Sequence, residues 1–426
     1  MKKGLLGTTA LVGASVILAA AAQAAEAPTW KLSGNANFQL YWVDQDNTSG
    51  YIKTTVFEAS VPVDSTSGPK GTYTGQDHDW YFGVDEAELQ LNVSGAADNG
   101  LNYGFKIEIN ANTTDGTVAD EARLQLSGGW GTLQMGDEDG AEDIMNYGGE
   151  NLMGATGGFD GDQDDYKFRA VGIAFTKVDT VTPSDFAYFA AVARGASGTK
   201  ADLLGAPSYP TIAGDTGDAT KVSYFSPRFS GFQVGASITP TPNTGDNFKE
   251  DGEWENHIGV GANYDNSFGD LRVRASLVYS AASWTDQVDL SPKGDIEDIS
   301  AWSVGGIVNY GPFSLGANYT DNGDSGRVLL NFDADDINVT IDSGESSYWD
   351  VAAGYEAGPM YFSAGYFLGT REFRQFDATY QHIALTADYT VAPGLGVYAE
   401  VNLIEDDFEF KSFDTTSFVL GANISF

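Results

Sequence analysis

Apolar and polar residues alternate one by one along most of the chain. In "WKLSGNANFQLYWV", the even-numbered positions from Trp30 to Trp42 are apolar or small, whereas the odd-numbered positions from Lys31 to Gln39 are polar or charged. A period of two places the first set on one face of a β-strand and the second set on the opposite face. The segment therefore predicts a strand with one apolar and one polar face.

The alternation occurs in sixteen segments, which together predict sixteen strands. After the first, they read "AELQLNVSG", "LNYGFKIEINAN", "DEARLQLSG", "GTLQMGD", "KVSYFS", "GFQVGASIT", "HIGVGANY", "LRVRASLVYS", "AWSVGGIVNY", "PFSLGANYTD", "YWDVAAGYE", "MYFSAGYFLG", "QHIALTADYT", "LGVYAEVNLI" and "TSFVLGANISF". Turn-forming links such as "AADN", "PRFS" and "VAPG" take turns with long polar stretches at residues 44–78, 240–255, 281–300 and 321–347. We therefore expect an antiparallel sheet with short connections at one end and long loops at the other.

The polar faces of these strands distinguish between two architectures. A soluble sandwich buries one face in a dry core, whereas a membrane barrel turns its apolar face to lipid and its polar face to a water-filled lumen. Lys106 and Glu108 share one polar face, and Arg272 and Arg274 share another. A dry core does not satisfy so many charges. Aromatic residues at strand ends, such as Trp302, are also typical of the girdles at membrane interfaces. The pattern predicts an all-β, transmembrane, antiparallel β-barrel.

The start of the chain has the features of an export signal. Two lysines precede an apolar run from Leu5 to Ala22, and the "AQA" that ends at Ala24 has the small-x-small form of a cleavage site. We expect residues 1–24 to be a signal peptide and residues 25–426 to form the barrel domain. An uncleaved membrane anchor is the alternative.

The composition narrows the possible partners. With 22 Lys and Arg against 60 Asp and Glu, the formal net charge is −38, and nucleic acid is excluded because phosphate binding requires basic clusters. The 21 Tyr and 25 Phe residues argue against a disordered acidic chain. Cys is absent, so no disulfide framework stabilises the fold. The excess of acid favours interaction with cations.

Candidate catalytic groups are scarce. The chain has no Cys nucleophile and no G-x-S-x-G motif, and its histidines are His78, His257 and His382. We interpret these histidines as polar residues of a lumen or its rim, and we expect neither enzyme activity nor an organic cofactor.

A possible calcium site lies in "DGDQDD". Asp160, Asp162 and Asp164 have the first spacings of a calcium loop, but Asp165 stands where an EF-hand requires Gly. The segment is therefore not an EF-hand, and Ca²⁺ bound by these carboxylates is an alternative to solvated charge.

Two stretches resemble signatures of the Gram-negative general porins, particularly the alphaproteobacterial group. "LSGGWGTLQMGDEDGAED", residues 126–143, resembles the hairpin and strand that lead into the constriction loop of those porins. "TKVSYFSPRFSGFQVGAS", residues 220–237, resembles the hairpin that follows the loop. The resemblance covers most of the chain. It implies a 16-stranded barrel in the outer membrane of a Gram-negative bacterium, a homotrimer, and passive diffusion of small hydrophilic solutes.

The resemblance also implies that residues 137–219 form a constriction loop plus an insert, bent into the pore. Within this range, "FRAVGIAFTKV" and "SDFAYFAAVARG" alternate as well. They leave open an extra wall hairpin, which would make 18 strands, although the flanking signatures favour 16.

Charged residues of the loop and of the strands are the candidates for the pore chemistry. If the loop folds inward, the acidic side of the constriction consists of Asp137, Glu138, Asp139, Glu142, Asp143 and Glu150. Strand parity turns five bases inward as the opposite wall, namely Lys31, Lys106, Arg123, Arg272 and Arg274. Such opposed walls produce a transverse field, and the excess of acid predicts a preference for cations. The alternative is that each base simply pairs with a neighbouring lumen carboxylate.

Two other functions are compatible with the same pattern. A sugar-specific channel would carry an aromatic slide, for which the inward candidates are Tyr41, Tyr361, Phe367 and Tyr398. A secreted carbohydrate-binding or surface-layer protein would share the export signal, the acidity and the β-content. Solubility without detergent would identify the latter.

The final segment, "SFVLGANISF", is expected to close the barrel. Because a barrel has no free edge, the last strand has to pair with the first. In the porins that the chain resembles, a terminal aromatic residue is recognised by the outer-membrane assembly machinery, and the resemblance assigns that role to Phe426.

Overall fold

The computed structural model describes residues 27–45, 79–84, 86–111, 119–160, 206–241, 254–284, 294–334, 337–373, 377–408 and 411–426. The expected signal peptide and the two alternating segments of the loop insert lie outside these residues. Among the described residues, no helix is long and apolar enough to cross a membrane.

The described residues form twenty strands. Their bounds are β1 (Thr29–Gln45), β2 (Asp79–Gly83), β3 (Ala87–Ala96), β4 (Asn102–Asn110), β5 (Ala119–Gly128), β6 (Gly131–Asp137), β7 (Thr220–Phe225), β8 (Phe232–Thr239), β9 (Trp254–Phe268), β10 (Leu271–Trp284), β11 (Gly294–Ile296), β12 (Ile299–Tyr310), β13 (Phe313–Gly323), β14 (Val328–Ala334), β15 (Ile337–Asp342), β16 (Glu345–Ala357), β17 (Met360–Glu372), β18 (Asp377–Ala392), β19 (Leu395–Phe408) and β20 (Lys411–Ser425). A short helix, α1 (Ala141–Ile144), and a 3-10 helix (Glu150–Leu152) lie between β6 and β7.

Sixteen of these strands form one closed antiparallel wall. Each wall strand pairs with the next one along the chain, and β1 pairs with β3 on one side and with β20 on the other. The short β2 also pairs with β1, beyond the stretch of β1 that pairs with β3. The wall strands coincide with the sixteen alternating segments, so the predicted barrel and its strand number are confirmed.

The wall is polar inside and apolar outside, as the alternation predicts. On β20, Phe418 and Leu420 are exposed on the outward face, whereas Ser417 and Val419 are buried inside. Aromatic pairs form a band at each end of the outward face. Near the short turns they are Phe313–Tyr355 and Phe232–Tyr264, and near the opposite end they are Trp302–Tyr319 and Trp349–Tyr366. Two such bands match the interfacial girdles of membrane barrels.

The short links are tight turns that use glycine. Gly311, Gly358 and Gly394 lie between consecutive wall strands and have φ values of 55°, 64° and 76°. Glycine adopts this left-handed conformation without a steric penalty, which permits a reversal within two residues.

The opposite end of the barrel contains more regular structure than the sequence analysis expected. Strands β11, β14 and β15 form a separate three-stranded sheet, although they lie in stretches interpreted as long polar loops. Beside this sheet, the guanidinium of Arg327 donates hydrogen bonds to both carboxylate oxygens of Asp342, each at 2.6 Å. The long connection expected at residues 321–347 therefore contains two strands of its own.

Between β6 and β7 the chain turns into the barrel. Its described part, residues 138–160 and 206–219, is called the inner loop. Two apolar clusters hold the inner loop against wall strands between β7 and β19. The first contains Met145, Ile212, Phe225, Trp254, Val278 and Ile299, and the second contains Leu152, Met153, Phe159, Ile307, Tyr348, Phe367, Tyr380 and Ile404. The inner loop thus fills the side of the lumen on which these clusters lie.

Candidate functional site

Wall side chains bind the backbone of the inner loop along its length. Hydroxyl groups accept three of its amide hydrogens, in the pairs Ala141–Ser237 at 3.1 Å, Tyr147–Ser276 at 2.9 Å and Gly154–Ser363 at 3.0 Å. These acceptors lie on β8, β10 and β17. Because a backbone amide inside a protein needs a partner, the polar inner face of the wall determines the path of the loop.

Three wall carboxylates act as further acceptors. Asp350 accepts the amide hydrogen of Gly149, and Asp388 accepts that of Ala155 at 2.9 Å. Glu400 accepts both the hydroxyl of Thr156 at 2.8 Å and its amide at 3.2 Å. The candidate residues taken from the sequence do not include these three acids. The available signal was the inward parity of acidic residues on β16, β18 and β19.

Asn146 connects the inner loop to three strands at once. Its Oδ1 accepts hydrogen bonds from Asn318 at 3.1 Å, Ser276 at 3.3 Å and Ser303 at 3.4 Å. The same oxygen accepts the amide hydrogen of Tyr147 at 3.1 Å. All the side chains in this network are buried, so water does not compete for these hydrogen bonds.

The two arms of the inner loop meet at Lys221, another residue that the sequence analysis did not select. Its Nζ donates to the carbonyl oxygens of Glu138 and Gly217. Lys221 has inward parity on β7 and is 3% exposed. A single ammonium group thus holds the point where the loop leaves the wall and the point where it returns.

The loop acids do not form one continuous charged edge. Glu142 and Glu150 are buried against the wall, and Asp139 and Asp143 are half-buried. The register of β5 and β6 places Asp137 on the outward face beside Met135, where it accepts a hydrogen bond from Thr220. We therefore leave Asp137 out of the proposed lumen charge.

Glu142 has the most enclosed carboxyl group among these loop acids. Its residue is 2% exposed, and its Oε2 accepts a hydrogen bond from the Ser237 hydroxyl at 2.9 Å. Burial, together with the nearby charge of Asp215, raises the pKa of Glu142 to about 7. The group therefore changes its charge near neutral pH.

On the wall that the inner loop leaves open, the predicted bases are ion-paired. Lys106 pairs with Glu108 and, at 2.8 Å, with Glu121. Arg123 pairs with Glu138 at the start of the inner loop. These lumen bases are thus paired with neighbouring carboxylates. This arrangement is the alternative to a transverse field between an acidic and a basic wall.

The other predicted bases lie elsewhere. Arg272 and Arg274 are on β10, a strand on which the inner loop itself packs, and not on a wall opposite to it. Arg272 pairs with Asp265, and Arg274 lies over the ring of Tyr147. Lys31 is inward by parity but exposed near the short-turn end of β1. Only Lys106 and Arg123 therefore contribute bases to the open wall as predicted.

Carboxylates suited to a metal occur at one described location. Oxygen atoms of Glu121, Glu138 and Asp139 lie within 4.8 Å of one another. Lys106 and Arg123 already pair with two of these groups, so positive charge is supplied by the protein and we assign no metal there. Of the suggested calcium ligands, Asp160 is described, whereas Asp162 and Asp164 lie outside the described residues.

The inward aromatic residues pack the loop rather than line a slide. Tyr361 donates to the carbonyl of Leu152 at 2.6 Å, and Phe367 is fully buried against Phe159. Tyr398 is 6% exposed, and Tyr41 stacks on its neighbour Tyr81. The two described histidines also serve this packing: His257 contacts the carbonyl of Gly214, and His382 bonds Asn402 and borders Phe159. The predicted His78 lies outside the described residues.

A closed barrel with girdles and an inward loop defines a porin-type outer-membrane protein. The profile of the Gram-negative porin family matches residues 7–408. The chain therefore belongs to the Gram-negative porin family, and it is located in the outer membrane.

Among curated proteins, one from Rickettsia felis is 24% identical over 241 residues, which cover 46% of this chain and 52% of that protein. One from Rickettsia prowazekii is 23% identical over 242 residues, with the same shares. The chain spans about half the length of the curated relatives it matches.

Solved structures show the same fold. The anion-selective porin from Comamonas acidovorans has a TM-score of 0.56 at 16% identity, covering 94% of this chain and 100% of that one. The outer membrane channel DcaP of Acinetobacter baumannii has a TM-score of 0.54 at 14% identity, covering 94% and 97%. The trimer form of OmpT from Vibrio cholerae has a TM-score of 0.52 at 15% identity, covering 94% and 100%.

Proposed function

We propose that the chain forms a water-filled channel for passive diffusion of small hydrophilic solutes and ions, with a preference for cations. The observation that carries the proposal is the inner loop, which is bound across the lumen and narrows it to the side lined by β3, β4 and β5. A diffusion channel requires a polar wall and a loop held in one position, and the hydrogen bonds between the wall and the inner loop support both.

The cation preference is supported by the charges along this bore. On this side of the lumen the largely buried carboxylates of Glu88, Glu108, Glu121 and Glu138 outnumber the two bases Lys106 and Arg123. Their net formal charge is −2. Since a bore with low-dielectric walls focuses the potential, a small excess of negative charge is sufficient to favour cations.

We also propose that the chain assembles as a homotrimer in the lipid of the outer membrane, inserted there by the assembly machinery. Support comes from the trimer form among the solved structures that share the fold. The exposed apolar outward face, flanked by aromatic bands, supports contact with lipid.

Reversal potentials in planar bilayers under a KCl gradient test the selectivity. We expect a potential that favours K⁺ for the natural chain. Glu121→Gln and Glu88→Gln should each move the potential toward zero, because they remove negative charge from the bore. The matched control is Glu297→Gln, which changes an exposed carboxylate beside the outer sheet and should leave the potential unchanged.

A reversal potential that favours Cl⁻ would contradict the cation preference. A folded protein that produces no conductance would contradict the channel itself.

A further inference from the structure

Below the inner loop, toward the short turns, three arginines surround one part of the lumen. Arg272 and Arg274 lie on β10, and Arg228 lies in the turn between β7 and β8. Arg228 reaches β9 through a 2.9 Å hydrogen bond to Asn263, two residues before Asp265. The ring of Tyr147, in the inner loop, lies against the Arg274 guanidinium of this group. Three guanidinium groups thus gather in a chain whose net charge is −38.

Within the described part of the chain, Asp265 is the carboxylate that pairs with this group. It binds Arg272 through two parallel bonds of 2.8 and 2.6 Å, the bidentate geometry that matches one guanidinium to one carboxylate. Arg228 is bound to neutral oxygen atoms of Gly231, Gln233 and Asn263. The cluster therefore has two guanidinium groups that no described carboxylate neutralises.

Arg274 makes the least use of its hydrogen-bond donors. Its hydrogen bond to a described residue is the 3.4 Å contact from Nη2 to Asn309, and its Nε has no partner there. The guanidinium carbon lies 5.4 Å from the centre of the Tyr147 ring. This stacking holds the side chain through a cation–π contact and leaves most of its N–H groups without a partner among the described residues.

Tyr147 adds a neutral donor to the same place. Its hydroxyl makes no hydrogen bond with any described residue. Burial and the charge of Asp265 raise the pKa of Tyr147, against the opposing effect of the nearby Arg228, Arg274 and Arg272. The hydroxyl therefore keeps its proton at neutral pH and is able to donate it to an acceptor.

We infer that Arg274, Arg228 and Tyr147 form a binding site for a small oxyanion, a phosphate or carboxylate group, at the short-turn end of the lumen. Guanidinium groups held by stacking recognise such oxygen pairs through charge-assisted bonds. The site is accessible, because Arg228 is exposed and 48% of the Arg272 side chain is exposed beside it. Binding at this site requires the folded barrel but not conduction. The site is therefore separate from the proposed channel function.

Calorimetric titration of the folded protein in detergent, at constant ionic strength, tests the site. Sodium phosphate is one probe and sodium acetate the other. We expect saturable heat with at least one of them, and Arg274→Gln should weaken the affinity about tenfold, the effect of losing one charge-assisted hydrogen bond. Tyr147→Phe should weaken it less, because the stacked ring remains. The matched control is Arg327→Gln, an arginine of the outer sheet that is paired with Asp342.

The outcomes separate a ligand site from a merely structural contact. Phosphate binding alone indicates a preference for doubly charged groups, and equal binding of both probes shows that one carboxylate is sufficient; both support the site. No saturable heat with either probe, or equal affinity in natural protein and folded Arg274→Gln, overturns it. If phosphate binds but bilayers show no conductance, the site stands and the channel proposal fails.

Discussion

Glu142 shows how one side chain links the inner loop to pH. Its pKa of about 7 lies above the ordinary value of 4.5 because burial disfavours the charged form. A raised pKa in the folded state means that the stabilising contribution is complete below pH 4.5 and is lost as the pH rises through about 7. The difference of about 2.5 pH units corresponds to a free energy on the order of 3 kcal/mol.

Glu142→Gln should remove this pH dependence. Between pH 5.5 and pH 8.5, hydrogen–deuterium exchange of residues 138–147, corrected for intrinsic rates, should accelerate in the natural chain, since ionisation of the buried carboxyl loosens the loop. In the Gln variant the corrected rates should be alike at both pH values. The control Asp143→Asn changes the adjacent, half-buried acid and should keep the acceleration. Equal rates in the natural chain at both pH values would show that Glu142 does not couple the loop to pH.

Side-chain direction was predictable, whereas pairing was not. The period of two correctly turned Lys106 and Arg123 inward. Their partners depend on the register between strands, which sets Lys106 opposite Arg123 and Gln90 opposite Glu108. A two-residue period fixes this offset only to within an even number of residues. The local sequence pattern also does not predict that Glu142 is buried. The burial results from contact with β8, which lies far along the chain.

The inner loop is a segment with little regular structure of its own. Its helices contain four and three residues, so few of its backbone groups are satisfied internally. Wall hydroxyls, amides and carboxylates supply the missing partners. A segment of this kind is held in place by many side-chain contacts, and its rigidity depends on each of them.

Asn146→Ala should therefore loosen the loop. The change removes the acceptor of four hydrogen bonds and leaves the buried Ser303 hydroxyl without its described acceptor, whereas Asn318 still donates to Ser303 at 2.8 Å. We expect a loss of about 1–3 kcal/mol in stability, the cost of buried unsatisfied groups, seen as a lower thermal unfolding midpoint and greater open-channel current noise. Asn92→Ala on β3, a strand outside the two apolar clusters of the inner loop, is the control. An unchanged unfolding midpoint and quiet current in Asn146→Ala would contradict the role of the network.

Strand alternation identified the whole wall but not the outer sheet. The wall strands carry the period of two, over nine residues or more in all but β6, β7 and β8, which have 7, 6 and 8 residues. The outer strands β14 and β15 carry it over 7 and 6 residues in Asp-rich surroundings, where the polar composition favoured a loop. Their partner β11 is only three residues long, too short to show any period.

Closure of the barrel depends on the seam between β1 and β20. Eleven residue pairs from Asn35 to Gln45 align across it. Beyond them, Phe426 and Gly34 exchange two backbone hydrogen bonds of 3.0 and 3.1 Å. Glycine at position 34 leaves room for the Phe426 ring, which lies 3.0 Å from where a Cβ would be. Phe426 thus completes the seam at the short-turn end.

Deleting Phe426 should lower the yield of assembled barrel while leaving the conductance of the barrels that do form unchanged. The deletion removes two seam hydrogen bonds and an outward ring that is 67% exposed, and it removes the aromatic group proposed as the assembly signal. Heat-modifiable trimer in outer-membrane fractions on denaturing gels measures the yield. Phe426→Tyr, which keeps the ring, should assemble normally. Normal trimer yield from the deletion would count against both roles of this residue.

The apolar clusters between the inner loop and the wall have a mechanical consequence. To swing aside, the loop would have to expose side chains such as Phe159 and Met145, which are fully buried, to water. Exposing apolar surface costs about 25 cal/mol for each Å², so displacement of several such side chains is as unfavourable as opening the core of a soluble protein. In the channel that we propose, the bore is therefore expected to act as a rigid sieve, whose size cutoff depends neither on which solute arrives nor on the voltage applied.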